Sequence, residues 1–331
     1  MAAAAAPARR PARLPARLPA LLGRAGPLVA LAAACAFFAA RSDRFLTGEN
    51  LALVLQQVMV VGVLAAGQTL VILTAGVDLS CGAAMALGGV VMTKLAAEHG
   101  TPVPLAVAAG VGAAALVGLV NGALVTAVRL PPFIVTLGTL NVAFAVTQLY
   151  SDAQTVTDLP PGMDALGGTF RLGATPVVYG AVLMLAVYAA AWFVLRATAA
   201  GRHVYAVGGA PEAARLAGVH TSRVLLGVYA AAGVLYGVAA LLAVARTGVG
   251  DPNAGQTENL DAITAVVLGG TSLFGGRGSV LGSLVGALIV GVFRNGLTLM
   301  GVSSVYQILV TGVLVILAVA ADQLARRGGR A

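Results

Sequence analysis

Three residue types that commonly carry chemistry are scarce in this chain. Lysine occurs once, as Lys94 in Val-Met-Thr-Lys, and there is no Gly-x-x-x-x-Gly-Lys-Ser/Thr loop to hold a nucleotide phosphate. Histidine occurs only at His99, His203 and His220, with no His-Glu-x-x-His pattern and no Cys/His cluster. Cys35 and Cys81 lie in apolar surroundings and read as small packing residues. Hydrolysis of ATP or metal-assisted hydrolysis has no residues to run on here, so the chain is not expected to be an enzyme. No cofactor, metal or nucleic acid is expected on it, and any ATP-driven work belongs to another chain. What remains are polar groups inside long apolar runs: Gln56, Gln57, Gln68, Asn121, Asn141, Gln148, Asn295 and Gln307, with the charged Asp78, Asp261 and Arg294 at or within run ends. Such groups are costly in hydrocarbon and face each other or a wet path. Packing between helices is the commoner use of any one of them. As candidate pathway or gate residues we take Gln56, Gln68, Asp78, Asn121, Asn141, Asp261 and Asn295. Being mostly neutral amides, they suit a neutral, hydroxylated solute better than an ion or a proton relay.

The elements that must position these groups follow from composition. The 331 residues are 59% hydrophobic and only 10% charged, and the mean hydropathy is +0.94. About a quarter of a soluble domain is charged, so a soluble enzyme, a disordered chain and a disulfide scaffold are all excluded. A bilayer span needs about 20 apolar residues. Reading between charges gives ten candidate runs: 25–40, 50–77, 79–93, 99–128, 130–151, 172–195, 224–245, 262–276, 278–293 and 295–321. The shorter ones must be tilted or broken, or must borrow flanking residues, as Lys94 can by snorkelling. The expected fold is an all-α polytopic membrane protein. It has a Pro/Arg-rich cytoplasmic head over 1–26, a single transmembrane domain over 27–325 and a cytoplasmic tail over 326–331.

The formal charge of +8 becomes a topology signal once sorted by position. With the N-terminus inside, 14 of the 20 Lys and Arg residues fall in cytoplasmic segments. Arg41, Arg44, Lys94, Arg171 and Arg246 fall outside, and Arg294 within a run. Cytoplasmic loops retain basic residues, so N-in and C-in is the expected orientation.

The chain also resembles itself. At an offset of 174, Gly112-Ala113 meets Gly286-Ala287, Asn121-Gly122 meets Asn295-Gly296, and Ile134, Gly138 and Leu140 meet Ile308, Gly312 and Leu314. Upstream, Asp78 precedes Leu87-Gly88-Gly89 as Asp261 precedes Leu268-Gly269-Gly270, at less regular spacing. The units fall in spans 2–5 and 7–10. A shift of five spans reverses direction through the bilayer, which makes an inverted repeat.

Three loops punctuate the spans. In Thr74-Ala-Gly-Val-Asp-Leu-Ser80, Gly76 can end one helix and Asp78 or Ser80 can cap the next. Gly275-Gly276-Arg277-Gly278 reads as a tight turn whose Arg can hold phosphates or a partner, and Gly269-Gly270 before it suggests a close backbone approach or a broken helix. In loop 196–223, Pro211 and Glu212 suit a helix start and Gly218 its end, predicting a short helix over 211–217. Such a helix is either an interfacial element or a knob for a cytosolic motor subunit.

Four stretches carry a resemblance to a known family. They are Val71–Ser80; Phe133-Ile-Val-Thr-Leu-Gly138; Gly201–Gly209, followed by Ala213-Ala-Arg-Leu-Ala-Gly-Val219; and Leu260–Gly278 with its Leu-Gly-Gly-Thr-Ser-Leu-Phe-Gly-Gly-Arg-Gly ending. Over roughly 50–325 the chain resembles the permease subunit of bacterial ABC importers of the ribose/xylose/galactose type. The resemblance implies a multi-pass protein of the plasma (inner) membrane. It implies a second permease copy as a homodimer, a cytosolic ATPase with two nucleotide-binding domains, and an extracytoplasmic sugar-binding protein. It further implies that the ATPase docks at Gly209, Glu212, Ala213, Ala214, Arg215, Leu216, Ala217 and Gly218. A nucleoside or branched-chain amino acid permease of the same architecture is the alternative, and an ion-coupled carrier a more distant one.

Overall fold

The computed structural model describes residues 17–173, 175–313 and 316, with side chains from residue 26 onward. In chain order the helices are α1 (Arg17–Arg41), α2 (Gly48–Leu73), α3 (Cys81–Ala97), α4 (Val103–Thr126), α5 (Pro132–Tyr150), α6 (Tyr179–Ala197), α7 (Ala199–Gly209), α8 (Pro211–Leu216), α9 (Thr221–Thr247), α10 (Glu258–Leu268) and α11 (Val280–Leu299). A further apolar helix, α12, covers Ser304–Val313. Helices α2, α4, α5, α6, α9 and α11 are long and apolar enough to cross a membrane, which makes the chain a multi-pass, helical membrane protein. The shorter apolar helices are Gly26–Arg41, α3 and α12. The far end of the last charge-free run, the 326–331 tail and most of the 1–26 head lie outside the described residues.

Two helices form the centre. The most apolar stretch of α2 is 72% buried and that of α9 is 61% buried, against 22% for α4 and for α5. Helix α2 packs on α9; α4 and α3 pack on α9, while α11 and α10 pack on α2. Shifting Gly48–Leu73 by 174 places gives 222–247, beside α9 at Thr221–Thr247. The same shift carries Val103–Thr126 to 277–300, beside α11 at Val280–Leu299. Each half thus leans its later helices on the central helix of the other. The Leu314 match lies outside the described residues.

Small residues allow these close approaches. A Cβ on Gly286 would run into the Ala265 carbonyl, one on Gly118 into the Tyr229 carbonyl, and one on Gly82 into the Gly255 carbonyl. Between apolar helices in lipid, such contact is the main source of attraction. At Gly269-Gly270 both readings of the sequence hold: α10 stops at Leu268, and a Cβ on Gly282 of α11 would overlap the Gly269 carbonyl.

Lys94 lies in the last turn of α3 and donates to the Tyr150 carbonyl at 2.7 Å with Asp152 at 3.4 Å. The 151–178 connection holds a hairpin that the sequence did not announce, Thr169–Leu172 paired antiparallel with Thr175–Val178. Val156 also exchanges two 2.9 Å backbone hydrogen bonds with Gly250, tying this connection to the segment after α9.

Candidate functional site

The break between α2 and α3 is the polar centre of the protein. Helix α2 ends at Leu73, and the left-handed residue that closes it is Ala75 (φ 63°), with its amide on the Ile72 carbonyl and that of Gly76 on the Val71 carbonyl. The glycine expected at this stop is displaced by one position. Gly76 serves instead as clearance: a Cβ there would lie 2.8 Å from the Tyr229 hydroxyl. The capping expectation also changes. Ser80 precedes α3 without a side-chain cap; its amide and hydroxyl donate to Asp78 Oδ1 at 2.9 and 2.6 Å. Asp78 thus organises the break rather than capping the helix.

Three other helices close around this turn. Asn121 Nδ2 of α4 donates to Ser80 Oγ at 2.8 Å, and Thr136 of α5 donates to the Val77 carbonyl at 3.1 Å. The surrounding donors and acceptors turn the Gln68 nitrogen toward the Asp78 carbonyl at 3.2 Å, and its oxygen then accepts from the Asp78 amide at 3.1 Å. Tyr236 of α9 lies against both Gln68 and Asp78. Gln68, Asp78, Ser80 and Asn121 have no exposed surface. Among the described residues the Tyr229 hydroxyl has no hydrogen-bond partner, in a centre that is polar and closed. An unpaired buried polar atom costs roughly 1–3 kcal/mol.

Of the seven candidate pathway residues, the structure therefore gathers Gln68, Asp78 and Asn121. Asp261 and Asn295 lie elsewhere. Asp261 of α10 pairs with Arg294 of α11 at 3.1 Å, beside a cavity of about 180 Å³ lined by Gln57, Arg246, Glu258 and Arg294. Asn295 and Asn50 exchange amide hydrogen bonds of 2.9 and 3.0 Å, locking α11 to α2. Gln56 is half-buried, and Asn141 is exposed on α5 with its amide on the Leu137 carbonyl at 3.0 Å. Tyr229 and Tyr236 were missed from the sequence. Their signal was present: two tyrosines seven apart inside an apolar run share one helix face.

The second part of the site is the connection after α6. Where the sequence suggested a loop with one short helix, two helices occur. Thr198 caps α7, accepting from the Gly201 amide at 3.2 Å. Ala210 separates α7 from α8, which starts at Pro211 and ends at Leu216, with Gly218 in the left-handed region (φ 86°). Gly209 is the last residue of α7 and Ala217 the cap of α8. Ala214 is buried, whereas Leu216 is 84% exposed and Glu212 pairs with Arg215 at 2.8 Å on the outside. Helix α8 thus stands on its inner face and presents an apolar tip between charges.

Helix α7 connects that knob to the Asp78 centre. A Cβ on Gly208 would overlap the Leu73 carbonyl at the end of α2, which accepts from the Gly276 amide at 2.9 Å. The Tyr205 hydroxyl donates to the Gly278 carbonyl at 3.0 Å. The end of α2, the 275–278 turn and α7 therefore meet as backbone against backbone, five residues before Asp78.

The profile of the family described as branched-chain amino acid transport system / permease component matches residues 50–319. The fructose import permease protein FrcC of Rhizobium meliloti is 46% identical, over 91% of this chain and 85% of its own. The ribose import permease protein RbsC of Escherichia coli K12 is 41% identical, over 89% and 92%. The D-allose transport system permease protein AlsC of the same organism is 35% identical, over 90% and 91%. No solved structure matches. A match over most of the chain, to a profile and to relatives alike, shows that the chain belongs to the branched-chain amino acid transport system / permease component family.

Proposed function

We propose that the chain is the membrane-spanning permease subunit of an ATP-driven importer that carries a monosaccharide into the cytoplasm. The observation that carries this reading is similarity across nine-tenths of the chain to permeases named for fructose, ribose and allose. The protein resides in the bacterial inner membrane and performs no bond chemistry. Its partners are a second permease copy, a cytosolic ATPase with two nucleotide-binding domains and an extracytoplasmic sugar-binding protein.

Ten spans cross the membrane, N-in and C-in, with spans 2–5 and 7–10 as inverted repeats. The shared offset of α2 with α9 and of α4 with α11, and their reciprocal packing, support the repeat. The apolar side chains exposed on α4, α5, α6 and α12 face lipid or the second copy.

The exposed knob of α8, with Glu212, Arg215 and Leu216 at its surface and Gly218 turning the chain away, receives the ATPase. Motion passes through α7 to the end of α2 and to the Asp78 centre, which acts as a gate by rearranging. A solute shifts this equilibrium only if it binds one state better than the other; the binding protein supplies that difference outside. The groups gathered with Asp78 at this centre, Gln68, Ser80 and Asn121, are neutral and suit a neutral, hydroxylated solute.

The test is uptake by proteoliposomes holding the permease, ATPase and binding protein, with labelled fructose, ribose, allose, leucine and adenosine offered in turn. Uptake of a monosaccharide is expected. Uptake of leucine or adenosine alone would replace the sugar assignment with the other solute classes of this architecture.

A further inference from the structure

A groove of about 1000 Å³ opens where α1, α6 and α11 meet the ends of α7 and α10. Two cations line it. Arg196 is in the last turn of α6, and Arg277 lies three residues before the start of α11. Both side chains are exposed, and no Asp or Glu is among the described residues that line the groove. Neither arginine makes an ion pair among the described residues. They differ in this from Lys94, Arg215 and Arg294, each of which has a carboxylate within 4 Å. The Arg196 guanidinium lies over the Trp192 ring, 5.6 Å from its centre, and Tyr205 closes the groove beside Gly278. Apart from Ser279 and glycine backbone the wall is apolar, with Leu28 and Leu281 substantially exposed.

Position gives this chemistry its meaning. Arg196 ends one candidate span and Arg277 precedes another, so both sit where hydrocarbon gives way to water, at one level of the membrane. A tryptophan at that level belongs to the interfacial belt. Two uncompensated cations above exposed leucines form a head-and-tail surface: an anionic group binds at the arginines and acyl chains lie along Leu28 and Leu281. Basic recesses between spans on the cytoplasmic side suit lipid headgroups, whereas a free phosphate would make no use of the apolar wall.

We propose that the Arg196–Arg277 groove is a binding site for the phosphate headgroup of an anionic phospholipid of the cytoplasmic leaflet. It sits against the 275–278 turn, on which Gly208 of α7 also rests. A bound lipid therefore steadies the joint between the knob of α8 and the end of α2. This inference is independent of which solute is carried.

The experiment uses the full-length chain in nanodiscs of phosphatidylcholine with or without phosphatidylglycerol, alone and with its ATPase. A photoactivatable phosphatidylglycerol reports capture, and the unfolding midpoint reports stabilisation. Two basic residues at the strength usual beside anionic lipid give a preference for phosphatidylglycerol of about 30-fold. Wild type should capture the probe and unfold at higher temperature with phosphatidylglycerol. Arg196→Gln/Arg277→Gln should lose both effects while keeping its midpoint in pure phosphatidylcholine, and Arg196→Lys/Arg277→Lys should recover most of the capture. Equal capture by wild type and the Gln variant would overturn the site. So would competition by millimolar inorganic phosphate, which marks a free-anion site, or capture abolished by the ATPase, which marks a protein-docking face. Should the Gln variant not fold, the Lys variant and the phosphate competition still decide.

Discussion

The Asn50–Asn295 pair offers the sharpest test of whether the intramembrane amides hold helices together or line a path. Both residues are about 95% buried, and they exchange bonds of 2.9 and 3.0 Å; Asn50 also donates to the Phe45 carbonyl at 2.8 Å. A side-chain hydrogen bond between membrane helices averages about 0.6 kcal/mol, so the two together are worth about 1.2 kcal/mol. Removing one partner also strands the other amide in an apolar site, at about 1–3 kcal/mol. Asn295→Leu alone should therefore cost about 2–4 kcal/mol. Leucine has the same branched four-atom side-chain skeleton as asparagine, and Asn50→Leu/Asn295→Leu leaves neither amide stranded, so it should cost less than the two single changes summed, by at least about 2 kcal/mol. The assay is a double-mutant cycle on the purified chain, unfolded reversibly by denaturant in mixed micelles, with uptake by the assembled importer measured in parallel. The clamp reading predicts strong coupling and uptake that recovers in the double variant. Additive single costs, or a stable double variant without uptake, would refute it and return Asn295 to the solute path.

Gly208→Ala drives a methyl into the Leu73 carbonyl, so the chain should lose about 1–3 kcal/mol; ATP hydrolysis by the complex should persist while uptake per ATP falls. Arg215→Glu with Leu216→Asp alters only exposed groups, so the unfolding midpoint should barely move while capture of the ATPase on an affinity resin is lost. Tyr188→Phe removes the 2.8 Å bond from the buried Tyr188 hydroxyl to the Gly62 carbonyl and should cost about 0.5–1.5 kcal/mol in the same unfolding assay. Asn121→Leu frees Ser80 from α4 and should change the rate of uptake more than the affinity for loaded binding protein, as read from concentration dependence.

Much of the helical layout was legible because it rests on local quantities. Charge-free runs marked where helices lie, Pro211 and Gly218 bracketed α8, and the 174-residue offset anticipated the correspondence of α2 with α9. Several of the misses are effects of tertiary contact. Helix α7 was hidden because Gly201, Gly208 and Gly209 look like loop residues; Gly208 is small so that backbone can meet backbone at Leu73, and Gly201 so that α7 can turn in close under the Leu195 carbonyl. Ala75 takes the left-handed turn usually given to glycine, while Gly76 is reserved for the Tyr229 hydroxyl. The candidate polar residues separated into a buried centre at Asp78, a clamp at Asn295 and an ion pair at Asp261, because which helix each one faces depends on crossings that spacing does not encode.

The central claim is that this chain is a passive path driven from outside itself by ATP. It is tested most directly by omission. Proteoliposomes containing the chain with ATPase and binding protein should accumulate labelled sugar only when all three proteins and ATP are present, and an imposed proton or sodium gradient should have no effect. Gradient-driven accumulation by the chain alone would contradict the account and assign it to the ion-coupled carriers.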